Sequence, residues 1–185
     1  MGELPDGLVY NSEFLSPEEE RGVLGYVENL DFQAVRMRGQ TARRTARHFG
    51  FDYDYERYGR VVPGDPLPEW LLAIRDRCGG LAGVEPDTLA QALVQRYPPG
   101  GTIGWHRDAP TFGTVVGVSL GSTCRMRFQR GSGENRRVLE LELEPRSAYV
   151  LAGEARNSWQ HSIPPAKELR YSITFRTLRS PERWQ

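Results

Sequence analysis

Residues 170–176 read RYSITFR, in which Tyr171, Ile173 and Phe175 alternate with Arg170, Ser172, Thr174 and Arg176. A period of two places the first set on one face of a β-strand and the second on the other. In a packed roll one face is core and the other lines a cavity, so two guanidiniums would point inward. A buried unpaired charge is costly, and such arginines require anionic partners.

Working outward, VVGVSLGSTCRMRF (115–128) alternates Val116, Val118 and Leu120 with small residues, and LELELEP (139–145) alternates leucine with glutamate. Both read as strands with one buried face. PPGGT (98–102), RGSGEN (130–135) and PPAKE (164–168) supply the turns between strands. Two helices are predicted earlier in the chain. SPEEERGVLGYVENL (16–30) opens with Ser16 as cap, Pro17 at the first helical position and Glu19 completing a capping box. PEWLLAIRDRCGG (68–80) carries Trp70, Leu71, Ile74 and Cys78 at helical spacing, with Gly79-Gly80 as the expected stop. Helices first, with strands from about residue 90 onward, predict an α+β domain whose β part is a sandwich or barrel-like roll.

The 185 residues suit one domain, 1–185, with no internal repeat. The start MGELPDGLVYNSEFLSPEEE has no basic segment followed by an apolar run, and no eighteen apolar residues run together, so a cytoplasmic protein with no membrane partner is expected. Cys78 and Cys124 are too few and too far apart for a disulfide framework or zinc knuckle, and are expected as buried thiols. A formal net charge of +0 argues against nucleic-acid binding by the chain as a whole but leaves room for a local basic face. Among the 24 basic residues Lys167 is the only lysine, so the cations are of the type suited to bidentate carboxylate and phosphate contacts.

In GWHRDA (104–109), His106 and Asp108 would point to the same side if the stretch ends a strand. Alone, such a pair is as well read as a surface hydrogen bond. His161, in SWQHSIP (158–164), ends another apolar stretch before a proline turn and supplies a third donor. Two histidines and one carboxylate make a facial set suited to non-haem Fe(II), while zinc could use the same donors with a water. A small dicarboxylate would fit between Arg170 and Arg176, because six residues of strand span roughly 20 Å and the side chains lean inward. Arg176, near a strand end, also suits a solvated rim position or a structural ion pair.

HRD, GEARNSWQH and RYSITFR, preceded by QRYPPGGTIGWH and with VVGVSLGS after the aspartate, resemble the AlkB family of Fe(II)/2-oxoglutarate dioxygenases over residues 91–179. The resemblance implies a double-stranded β-helix, or jelly-roll-like, core over 91–179, with N-terminal helices packed on one sheet and a nucleotide-recognition lid within 1–90. It implies His106, Asp108 and His161 as iron ligands, and Arg156 close to the iron with a catalytic role. Arg170 would hold the far carboxylate of 2-oxoglutarate with a hydrogen bond from Tyr97, and Arg176 would help at the metal end. Gln95 and Ser172 would complete the cofactor pocket where many relatives carry asparagine. The implied reaction decarboxylates 2-oxoglutarate to succinate with O2 and hydroxylates an N-alkyl or etheno carbon, after which an aldehyde leaves.

Residues 36–60, RMRGQTARRTARHFGFDYDYERYGR, hold seven arginines against three acids, interleaved with aromatics. Arginines for phosphates and aromatic faces for an unstacked base suit a base-flipping enzyme. A strand with inward aromatics and outward aspartates suits the same residues. The resemblance makes Arg47, His48, Phe49, Phe51, Tyr53, Tyr55 and Trp105 the expected substrate contacts, with alkylated DNA or RNA as the partner of a monomeric enzyme. Pro110 departs from the acidic residue that repair-type members carry two positions past the ligand aspartate, which shifts the expectation toward etheno adducts or a tRNA uridine. The five arginines of RMRFQRGSGENRR (125–137) suit either a grip on a second strand or a solvated hairpin.

Overall fold

The computed structural model describes residues 4–37, 39–54 and 60–179. Its strands are β1 (Leu8–Asn11), β2 (Gln33–Met37), β3 (Gln40–Phe49), β4 (Phe51–Asp54), β5 (Arg60–Pro63), β6 (Gln91–Tyr97), β7 (Ile103–His106), β8 (Phe112–Leu120), β9 (Cys124–Arg130), β10 (Arg137–Leu143), β11 (Ala148–Leu151), β12 (Gln160–Ile163) and β13 (Arg170–Leu178). The helices are α1 (Pro17–Val27), α2 (Glu69–Ala82) and a short α3 (Gly153–Asn157).

Among the described residues, seven strands pair in the order β1-β11-β8-β13-β6-β3-β2, four in the order β10-β9-β12-β7, and β4 with β5. Every described ladder is antiparallel. The large sheet takes β1, β2 and β3 from the first 50 residues, which corrects the expectation that strands begin near residue 90. The turn and alternation signals of these strands are weaker than those of the two helices.

The alternation of β13 sorts two cores. Tyr171, Ile173 and Phe175 join Val116, Val118 and Leu120 of β8 in a buried cluster with Val27 of α1 and Leu71, Ile74 and Cys78 of α2. The helices thus cover that face of the large sheet. Between the two sheets lies a second cluster, joining Tyr97, Val115, Tyr149 and Leu151 to Cys124, Met126, Phe128, Leu143 and Ile163. Leu139, Leu141 and Leu143 face this cluster while Glu140 and Glu142 are exposed, as the LELELEP pattern requires. These two stacked antiparallel sheets are the double-stranded β-helix.

Ser16 caps α1 as expected: its hydroxyl accepts from Glu19 N at 3.1 Å, and Glu19 accepts from Ser16 N at 2.7 Å. The expected stop of α2 is corrected. The helix runs through Gly79-Gly80 and ends at Gly83, whose φ of 66° is the left-handed cap that favours glycine. Gly117 has a different reason: a Cβ there would lie 2.3 Å from the Tyr149 ring, its cross-strand neighbour. Cys78 and Cys124 are buried free thiols, and burial pushes Cys78 up to about 12.

Candidate active site

The strands of the small sheet bring the two histidines together. His161 of β12 stands directly opposite His106 of β7, with ring centroids 4.3 Å apart. Asp108 lies in the loop beyond β7, so strand alternation is not what places it beside His106. The loop returns the carboxylate, and its Oδ1 lies 3.6 Å from His106 Nε2 and 3.5 Å from His161 Nε2. All three donor atoms fall within 4.8 Å of one another, a set that could hold a metal ion. His106 Nδ1 is 2.8 Å from Gly104 O, a contact that requires Nδ1 to carry the proton and leaves Nε2 as the acceptor.

Electrostatics keep these donors ready. Burial alone would raise the Asp108 carboxyl, but the Arg176 guanidinium, with both histidines, outweighs it and holds Asp108 well below the usual carboxylate range. Burial, reinforced by His106, pushes His161 down to about 3, so its imidazole is neutral at physiological pH. An ionised carboxylate and a neutral imidazole are the forms that coordinate metal.

The facing side of the cavity is the polar face of β13 and β6. The register sets Arg170 opposite Tyr97, Ser172 opposite Gln95 and Arg176 opposite Gln91, so these six side chains share one face. Arg176 donates from Nε to Asp108 Oδ2 at 2.6 Å and from Nη1 to Gln91 Oε1 at 2.9 Å, and is no solvated rim residue. Arg170 is 1% exposed, and its Nε donates to Ser119 Oγ at 3.1 Å. Its Nη1 and Nη2 are buried and find no hydrogen-bond acceptor among the described residues. The Tyr97 hydroxyl donates to Gln95 Oε1 at 3.1 Å, its own acidity weakened by burial, and the Arg170 guanidinium lies 5.1 Å from its ring centre. Four donors on a buried cation, beside a tyrosine and two polar side chains, fit the distal carboxylate of a 2-oxo dicarboxylic acid. Sequence reasoning missed Ser119 and Gln91. Both hold an arginine of the pocket, and the alternation within VVGVSL was the available signal for Ser119.

Arg156 forms no ion pair with Asp108 or Glu154 among the described residues. Its Nε donates to Gly113 O at 2.9 Å and its Nη2 to Ala109 O at 2.8 Å and to Phe112 O. It therefore ties down the loop that carries Asp108, while Glu154 pairs with Arg130 at 2.9 Å.

The expected substrate contacts are scattered. His48 shares the cavity face through its pairing with Leu93, and its Nδ1 lies 3.4 Å from Asp52. Phe49 lies on the opposite face of β3 and belongs to the core beneath the helices. Arg47, on that same face, pairs with Asp65 at 2.5 Å and lies 4.8 Å over the Phe49 ring. Trp105 alternates with His106 and lies beneath Arg127, 5.0 Å from ring centre to guanidinium, on the outer side of the small sheet. Phe51 is half-buried in the β4–β5 hairpin, where Tyr53 pairs with Val61 through the backbone. Tyr55 and Tyr58 lie outside the described residues. In the β9–β10 hairpin Arg125 pairs with Glu140 at 3.5 Å and Arg136 with Gln129 at 3.0 Å, as a solvated hairpin would.

Among the described residues, no helix is long and apolar enough to cross a membrane. Residues 7–176 match the family described as the 2OG-Fe(II) oxygenase superfamily. The chain is 30% identical over 173 residues to tRNA (carboxymethyluridine(34)-5-O)-methyltransferase alkbh8 of Xenopus tropicalis, a match covering 89% of this chain and 26% of that protein. It spans about a quarter of the length of the first such relatives. It is 31% identical over 172 residues to mouse mitochondrial alpha-ketoglutarate-dependent dioxygenase alkB homolog 7, covering 88% of this chain and 70% of that one. The fold matches the structure of OsALKBH1 with a TM-score of 0.75 at 17% identity, over 95% of this chain and 99% of the other. With the family match spanning both sheets and all three candidate ligands, the chain belongs to the AlkB-type 2OG-Fe(II) oxygenases, dioxygenases that use Fe(II), 2-oxoglutarate and O2.

Proposed function

We propose that this chain oxidatively dealkylates bases in DNA or RNA, with His106, Asp108 and His161 as the iron ligands and Arg170 as the anchor of 2-oxoglutarate. The observation that carries the reading is the pairing of a His-Asp-His cluster at one end of the cavity face with a buried guanidinium toward the other whose Nη1 and Nη2 have no acceptor among the described residues. When bound, the iron supplies the activation of O2 that oxidises the substrate carbon. The protein's residues supply the rest. Arg170 and Tyr97 fix one end of the co-substrate, Arg176 holds the Asp108 carboxylate ionised and aimed, and Arg156 fixes the loop behind it. His48 reaches the same face from β3 and is available to a base presented there.

A second reading, the same chemistry on a tRNA uridine, has its own support. Pro110 lines the cleft beside Asp108 and its side chain offers no acceptor to an exocyclic amine, so recognition of methylated adenine or cytosine lacks a side-chain contact there. The Xenopus tropicalis relative is named for a tRNA uridine.

Mass spectrometry of oligonucleotides carrying 1-methyladenine, 3-methylcytosine or 1,N6-ethenoadenine, incubated with protein, Fe(II) and 2-oxoglutarate with and without O2, tests the proposal. Oxygen-dependent return of a lesion to its parent base is the expected result. Succinate formation without lesion conversion would move the substrate to tRNA. No succinate from iron-loaded protein would remove the assigned ligand and anchor roles.

A further inference from the structure

Beside the His-Asp-His cluster a cleft of about 440 Å3 is lined by Arg107, Asp108, Pro110, Arg156, Asn157, Gln160 and Arg179. Three arginines face one carboxylate there, and that carboxylate is already held by Arg176. The arginines are arranged rather than merely crowded. Arg107 Nη1 donates to Asn157 O at 3.2 Å, and Arg179 Nη2 donates to Asn157 Oδ1 at 2.6 Å. The Asn157 side chain is fixed in turn by donating to Gly153 O at 2.8 Å, and Arg179 N donates to Thr111 O at 2.8 Å.

Neither Arg107 nor Arg179 has a carboxylate partner among the described residues, and each guanidinium uses one N–H for Asn157. Arg130 and Arg125, by contrast, pair with Glu154 and Glu140. Gln160 turns its carbonyl to Gln129 Nε2 at 2.7 Å, and its own N–H groups have no protein acceptor among the described residues. Like charges gathered at one cleft repel one another, and an anion that accepts several N–H bonds relieves the repulsion. The donors come from three separate elements, the loop after β7, the residue following β13 and the start of β12, and a tetrahedral oxyanion has an oxygen to offer each of them.

We infer that Arg107, Arg179 and Gln160 bind one backbone phosphodiester of the substrate strand, next to the base presented to His106, Asp108 and His161. The inference rests on the nucleic-acid reading above and adds to it where the strand runs. Asp108 belongs to both the cleft and the candidate metal cluster, so the cleft adjoins the place where the base would be presented. Phosphate contacts fix register while leaving sequence unread, which suits an enzyme that selects by the modification on the base.

The test is a methylphosphonate scan. A short single-stranded DNA with a central 1-methyladenine, and its RNA counterpart, are bound anaerobically to protein loaded with Fe(II) and 2-oxoglutarate, with one phosphodiester neutralised at a time. One position adjacent to the modified base should weaken binding about tenfold, and Arg107→Gln/Arg179→Gln should abolish the difference at that position only. The same variant should flatten the salt dependence by about 0.7 in log Kd per log salt for each phosphate charge no longer neutralised. Arg107→Lys/Arg179→Lys keeps the charge and should restore part of the affinity. If the wild-type protein binds but no single phosphate stands out, or the sensitive phosphate is unaffected by these variants, the cleft is not a phosphate site and the nucleic-acid reading stands. If neither oligonucleotide binds, the nucleic-acid reading falls and this inference with it. Should the glutamine variant fail to fold, the scan on the wild-type protein and the lysine variant still decide the matter.

Discussion

Arg170 and Arg176 project from the same face of one strand, yet their surroundings are opposite. Arg176 is satisfied by the protein: Asp108 takes its Nε and Gln91 its Nη1. Arg170 is more deeply buried; its Nε donates to Ser119, its guanidinium lies over the face of Tyr97, and both terminal nitrogens lack acceptors among the described residues. A buried cation without an anion costs several kcal/mol, so the distal end of the cavity is built at the expense of stability. The proximal arginine serves the protein's own carboxylate, and in the proposed function the distal one is left for a carboxylate brought from outside.

The contrast faces its most severe challenge at the proximal end. Asp108→Ala removes a metal ligand and leaves Arg176 without its carboxylate. Succinate formation should vanish, and the metal-free protein should lose about 3–5 kcal/mol in urea unfolding. An unchanged unfolding midpoint would mean that Arg176 does not depend on Asp108. At the distal end Arg170→Met should act the other way on stability. The 2-oxoglutarate KM should rise about 100-fold, as loss of a charge-assisted pair implies, while metal-free stability is unchanged or higher. A fall of several kcal/mol with an unaltered KM would make Arg170 structural and erase the contrast.

Smaller changes refine the picture of the distal end. Ser119→Ala removes the acceptor of Arg170 Nε and should raise the 2-oxoglutarate KM about fivefold, from about 1 kcal/mol of lost orientation. Burial makes the Tyr97 hydroxyl a weaker acid, so it stays a donor beyond the pH of about 10 at which an ordinary tyrosine ionises. The 2-oxoglutarate KM should therefore stay flat up to that pH, and a rise of KM setting in near pH 9 would show Tyr97 to be solvated.

The legible and illegible parts of the sequence differ in physical kind. Alternation in RYSITFR separated the arginines from the core correctly, because a strand buried on both faces still has to segregate charge from the helix-covered side. The capping box of α1 was legible because it is local chemistry. The site was harder where tertiary context decides. Asp108 reaches His106 by a loop, and no periodicity describes a loop. Phe49 and His48 are neighbours on β3 that face opposite ways, and composition cannot say which of them sees the cavity. Trp105, next to a ligand in sequence, is turned away from it by the alternation that aims the ligand inward. The end of α2 was misjudged because glycine within a helix is tolerated when the helix is packed, and only the left-handed φ at Gly83 marks the stop.

His106 sits on β7, the outermost strand of the small sheet among the described residues, with β12 as its one ladder partner there. Peripheral strands fray at a lower free energy than central ones. Fraying of these four residues would release His106 while the rest of the domain stays folded. His161, held between β9 and β7, stays in place while that happens. The two histidines of one cluster thus stand on strands of unequal security, one at the edge of the sheet and one within it.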